Sequence, residues 1–172
     1  MSRRLNPTID RICKFASTDE TRWHLQCVYA CSELKSYVAT DGWRVIVSPS
    51  ITMDVSFDAK TYLKTENKFP VKIEKYPNVK QFLPNLETYT QTLSMDLPEW
   101  FSSLKSKRPV AGHFSTKGIS LFKSDDTICT IDLKLLIPLA GENVVFQFRD
   151  SVSPVYFKLS DQSYGCIMPM RV

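Results

Sequence analysis

The spacing of apolar residues changes along the chain, and each change marks an element. In LNPTIDRICKFAS, residues 5–17, Ile9, Ile12, Cys13 and Ala16 recur at helical spacing and predict a buried helical stripe. Asn6 stands where a helix cap is needed, and Pro7 takes the first helical position, where its missing N–H removes no bond. Arg11 and Lys14, three apart, are expected to share an exposed face. The period then falls to two. WHLQCVYA, ELKSYVAT and GWRVIVSPS read as three strands of an antiparallel meander, with CSE and Asp41-Gly42 as the turns.

Between Thr52 and Pro84 prolines and lysines interrupt the pattern, leaving one predicted strand at Val71–Lys75 and a connector from Tyr76 to Pro84. The unit then starts again. TYTQTLSMD alternates as a strand, and Asp96 with Glu99 forms a capping box for a helix striped by Leu97, Trp100, Phe101 and Leu104. Lys105, Lys107 and Arg108 close that helix, at the end where its dipole favours cations. Strands follow at HFST, GISLF and TICTI, then a helical segment LKLLIPLAG that Pro138 shortens or kinks and Gly141 stops. Three last strands, NVVFQFRD, PVYFKLS and YGCIMPMRV, complete a weak internal repeat of an α+β module. A chain end this apolar is expected to be tied into a sheet.

Composition narrows the class. A chain of 172 residues, 43% hydrophobic, holds enough apolar surface for one ordinary domain or two small ones without staples. No long apolar run or signal segment stands in it, which predicts a protein that is neither membrane-spanning nor secreted. The five cysteines, Cys13, Cys27, Cys31, Cys129 and Cys166, form no CxxC pair, and the two histidines, His24 and His113, stand far apart in the sequence. The cysteines are expected as reduced, mostly buried residues of a cytoplasmic protein, without a zinc site. The net charge of +4 permits contact with nucleic acid without requiring it.

Catalytic signatures are missing: no GxSxG, no P-loop and no dinucleotide fingerprint occur, and five glycines are too few for phosphate-cradling loops. Asp125-Asp126 between two strands reads as a hairpin turn rather than a metal site. The expectation is a binding protein, not an enzyme, with no catalytic residue, no metal and no cofactor.

Three stretches carry a resemblance. RWHLQCVYACSELKSYVATDGWRVIV resembles the strand-turn segment ending in ATDGxRL in the middle domain of bacterial DNA polymerase sliding clamps, the β subunit of the replicative polymerase. YPNVKQFLP resembles that family's connector between middle and last domains, and ENVVFQFRDSVSPVYFKLSDQSYGCIMPMRV is similar to its terminus. The three come in the family's order and cover about residues 5–50 and 70–172. The resemblance implies an α+β sliding-clamp fold of reduced size, with antiparallel sheets outside and helices inside. Residues 1–84 would be a truncated clamp-like unit with its connector and 85–172 a C-terminal clamp-like unit.

It also implies a hydrophobic pocket for short peptides of polymerases or repair proteins. Carried over by position, that pocket takes Leu25, Thr40, Gly42, Trp43, Arg44 and Val45 from the first unit and Pro77 and Phe82 from the connector. From the second unit it takes Pro154, Cys166, Met168, Pro169, Met170 and Arg171. Methionines make an adaptable apolar wall, and the two arginines would supply a polar rim. Read without the resemblance, Met168 and Met170 are core strand residues and Trp43 is a hairpin residue covering the sheet. Arg11, Lys14, Lys105, Lys107 and Arg108 fall where the family presents cations to the phosphates of duplex DNA; their alternative is a solvated helix face.

The chain departs from the family pattern in its basic charge, in Trp43 where a smaller polar residue is usual, and in a first unit with no recognisable second helix. Two functions follow. One is a reduced clamp that forms a homo-oligomer around double-stranded DNA, three two-unit copies matching a six-unit ring; the other is a non-encircling module that binds the peptides of clamp partners. QTLSMDL, residues 91–97, faintly echoes such a peptide, within a predicted strand.

Overall fold

The computed structural model describes residues 6–49, 55–98, 118–123 and 126–170. The chain divides into two compact units, Met1–Phe82 and Leu83–Val172.

Unit 1 opens with helix α1, Pro7–Cys13, capped by Asn6, whose side-chain oxygen accepts from the Thr8 and Ile9 backbone N–H groups at 3.1 and 3.4 Å. Ile12, Cys13, Phe15 and Ala16 are buried as their spacing requires. Arg11 is buried as well, at 7% exposure, which corrects its placement on an exposed face. The cause is packing: α1 is short and lies against a second helix as well as the sheet, so a wider arc of it is covered.

WHLQ does not begin a strand. Asp19 accepts from the Thr21 N–H and starts a 3-10 segment, Glu20–Leu25, so strand β1 is only Cys27–Cys31. Strands β2, Ser36–Thr40, and β3, Arg44–Pro49, follow as an antiparallel hairpin with Thr40 opposite Val45. Strand β4, Phe57–Asp58, pairs with β1, giving the order β4-β1-β2-β3 in this unit. One face of these strands carries Phe57, Val28, Ala39 and Ile46, all essentially unexposed, and the helices pack on it.

The second helix absent from the sequence reading exists. Helix α2, Ala59–Thr65, is capped by Asp58, which accepts from the Thr61 N–H at 2.6 Å, and it buries Ala59 and Tyr62. The strand expected at Val71–Lys75 does not form; only Pro70 bridges, to Phe57, and the Val71 N–H donates to the Ser56 carbonyl. Prolines at 70 and 77 bracket the segment and cannot donate to a ladder.

Unit 2 begins with strand β5, Gln91–Asp96, which pairs with β8, Asn143–Phe148. Asp96 ends that strand and accepts from the Asn143 side-chain amide at 2.7 Å. The helix expected beyond it, with Glu99 to Arg108, and the strand HFST lie outside the described residues. Strands β6, Gly118–Lys123, and β7, Asp126–Asp132, pair as a separate ribbon; β7 starts at Asp126, which the sequence reading put in the turn. LKLLIPLAG splits into helix α3, Leu133–Leu136, and a 3-10 turn holding Pro138, as that proline requires. Strands β9, Val155–Leu159, and β10, Tyr164–Ile167, complete the order β10-β9-β8-β5, over a core of Phe146, Phe148, Phe157, Leu136 and Leu139.

Candidate functional site

In unit 1 the tip of the β2–β3 hairpin is built by side chains bonding to backbone. Asp41 accepts from the Trp43 and Arg44 N–H groups at 2.9 and 3.1 Å, and the Thr40 hydroxyl donates to the Arg44 carbonyl at 2.7 Å while accepting from the Gly42 N–H. Gly42 has φ of +93°, a conformation that only glycine adopts without strain, and a Cβ there would come within 3.1 Å of the Arg22 guanidinium. This fixed loop holds Trp43 out into solvent at 63% exposure.

Arg44 turns the other way. Its Nε lies 2.9 Å from Asp41, an Nη donates to the Lys14 carbonyl at 2.9 Å, and the guanidinium sits 5.0 Å from the Phe15 ring centre. Burial pulls its pKa below the ordinary value, with Asp41 opposing that shift. The arginine expected at a pocket rim is therefore a brace between the hairpin and the end of α1. Leu25, Thr40 and Val45 are buried. Pro77 is half-buried, and Phe82, just past a 3-10 turn at Val79–Gln81, is 52% exposed.

In unit 2 the DSVS loop is ordered around Asp150. Its carboxylate accepts from the Ser153 hydroxyl and from the Ser153 and Val152 N–H groups, and Arg149 pairs with it at 3.0 Å. These bonds, the Ser153 hydroxyl first, hold the Asp150 pKa down at about 2. Pro154 follows, its carbonyl accepting from the Tyr89 hydroxyl. Cys166 is buried in β10, and burial pushes its thiol up to about 12, so it is a packing residue without thiolate character.

The strand expected to run through the terminus stops at Ile167, before Pro169. Met168 is exposed at 36%, while Met170 rejoins the fold by donating its N–H to the Thr130 carbonyl of β7 at 2.7 Å. Arg171 lies outside the described residues, as do Lys105, Lys107 and Arg108. Of the candidate DNA contacts on α1, Arg11 is buried and Lys14 pairs with Asp10 at 2.6 Å. The candidates thus fall into exposed apolar residues, Trp43, Phe82 and Met168, and residues that build the loops beneath them. Among the described residues no three His, Cys, Asp or Glu side chains converge as metal ligands, and no helix is long and apolar enough to cross a membrane.

No protein-family model matches the chain, and no curated protein matches its sequence. Solved structures do match. The β chain of DNA polymerase III from Streptococcus pneumoniae superposes with a TM-score of 0.64 at 17% identity, over 98% of this chain and 63% of that one. The fold is the bacterial sliding-clamp fold. The Helicobacter pylori β clamp bound to a DNA ligase peptide matches at a TM-score of 0.60 and 14% identity, over 96% of this chain and 63% of that one. The Bartonella birtlesii sliding clamp bound to griselimycin gives 0.61 and 17%, with the same coverages. This clamp-like chain spans about 63% of the length of the solved clamps it matches.

Arg22 escaped the sequence reading. Its place beside Gly42 follows from the 3-10 segment, which alternation in WHLQ disguised as strand.

Proposed function

We propose that this chain is a reduced sliding clamp: a non-enzymatic protein that assembles around duplex DNA and holds a polymerase or repair partner by a short hydrophobic peptide. The observation that carries the reading is the match of 98% of the chain to the sliding-clamp fold. Peptide docking rests on the exposed apolar residues of each unit, Trp43 and Phe82 in the first and Met168 in the second, which the sequence resemblance assigns to the docking pocket. Two of the solved clamps of this fold are described as bound to a DNA ligase peptide and to griselimycin.

The burial of Arg11 and the pairing of Lys14 favour a second reading, in which the same docking residues serve a module that does not encircle DNA. Mass in solution separates the two. Light scattering over a range of concentrations should show a stable trimer or other closed multimer for the clamp; a monomer at every concentration moves the function to the non-encircling module. Docking is tested by binding of a fluorescent clamp-binding peptide to the wild type and to the Trp43→Ala, Met168→Ala double variant. Unchanged affinity would show that the docking residues are misassigned.

A further inference from the structure

Unit 1 ends in a segment that belongs to no strand yet lies along its sheet. We propose that residues 70–82 form a releasable strap, docked on the Tyr29 side of unit 1, and that filling the cleft beneath it releases it. Its near end is fixed by the Pro70–Phe57 bridge and the Val71 bond to Ser56. Further on the attachments pass through side chains. The Tyr76 ring stacks on Tyr29 with centres 4.6 Å apart and planes 14° from parallel. Val79 is buried at 4% exposure, and the Lys80 ammonium pairs with Glu33 at 3.0 Å.

Two features make this docking reversible. Packing under the strap is incomplete: a cleft of about 240 Å³ separates Cys31–Leu34 at the β1–β2 turn from Tyr76–Lys80. The outer attachment is also weak. The Lys80–Glu33 pair is solvent-exposed at both ends, where ion pairs contribute little. Segments held this way open locally before the fold does.

Pro77 and Phe82 ride on the strap. Release would therefore displace two of the proposed docking residues, a consequence that rests on the peptide-docking reading; the strap itself does not. Cys31 provides a wedge. It lines the cleft and is the one cysteine of the five that is not buried, whereas burial pushes the thiols of Cys13 and Cys166 up to about 12 and those of Cys27 and Cys129 to about 11.

The test is hydrogen exchange at the amides of Lys80, Gln81 and Phe82, each bonded within the 3-10 turn. The full chain is compared before and after fluorescein maleimide adds to the Cys31 thiolate as a thioether, with the β2 amides reporting on the fold. Labelling should speed exchange at the strap amides at least about tenfold while β2 stays protected. Tyr76→Ala should do the same, and Tyr76→Phe, which keeps the stacked ring, should exchange close to the unmodified protein. Equal exchange in labelled, Tyr76→Ala and unmodified protein would overturn the proposal, as would Tyr76→Phe behaving like Tyr76→Ala. Peptide affinity measured on the same samples judges the docking reading separately: a peptide that never binds the wild type refutes that reading while exchange still decides the strap.

Discussion

Replacing Arg44 by alanine should destabilise unit 1 rather than merely weaken peptide docking. The side chain is 11% exposed and Asp41 is 17% exposed, so their 2.9 Å pair is shielded from water. A hydrogen bond to a charged group contributes about 1.5–3 kcal/mol. Arg44 makes one to the Lys14 carbonyl, forms the ion pair with Asp41, and also lies over Phe15. The contributions are not additive, because Asp41 keeps its bonds from the Trp43 and Arg44 N–H groups after truncation. Breaking a shielded pair from one side gives an expected loss of about 3 kcal/mol. Urea unfolding followed by tryptophan fluorescence reads it, since Trp23 and Trp43 both lie in this unit. Arg44→Met, which keeps the packing over Phe15 without the charge, should lose less. A midpoint unchanged in Arg44→Ala, together with lost peptide binding, would refute the brace and return Arg44 to the rim.

Three further outcomes are expected. Gly42→Ala should cost about 1 kcal/mol in the same unfolding assay, because φ of +93° is strained for any side chain. Asp150→Asn should lower stability at neutral pH. The folded Asp150 pKa of about 2 lies below the unfolded carboxylate value of about 3.9. Its contribution is therefore complete above that unfolded value, and the gap between wild type and variant should close as pH falls through about 2. Asn6→Ala should lose about 1 kcal/mol by uncapping α1, seen as a lower thermal midpoint of unit 1.

Periodicity revealed what periodicity controls. The core of α1, the β2–β3 hairpin and the last strands were legible because their apolar spacing matches one face of a helix or a sheet. Helix α2 was not, since a seven-residue helix that buries only Ala59 and Tyr62 leaves too short a stripe; the legible signal was Asp58 as its cap. VKIEK alternates like a strand, but the flanking prolines and the Tyr76 stack hold it off the ladder. Arg11 was misplaced because a helical wheel shows one buried face, whereas α1 packs against both α2 and the sheet.

The docking candidates came from family resemblance, since neither composition nor spacing distinguishes an exposed Trp43 from one folded onto the sheet. Physical inspection then divides the list. Leu25, Thr40, Val45 and Cys166 are buried and Arg44 is shielded, whereas Trp43 and Phe82 of the first unit and Met168 of the second are exposed.

Retention on DNA tests the central claim most directly. Labelled protein is assembled on a nicked circular plasmid, the mixture is gel-filtered, and half is cut once with a restriction enzyme. A clamp stays with the closed circle and is lost from the linear form by sliding off its ends. Equal loss from both forms, or equal retention on both, would contradict encirclement.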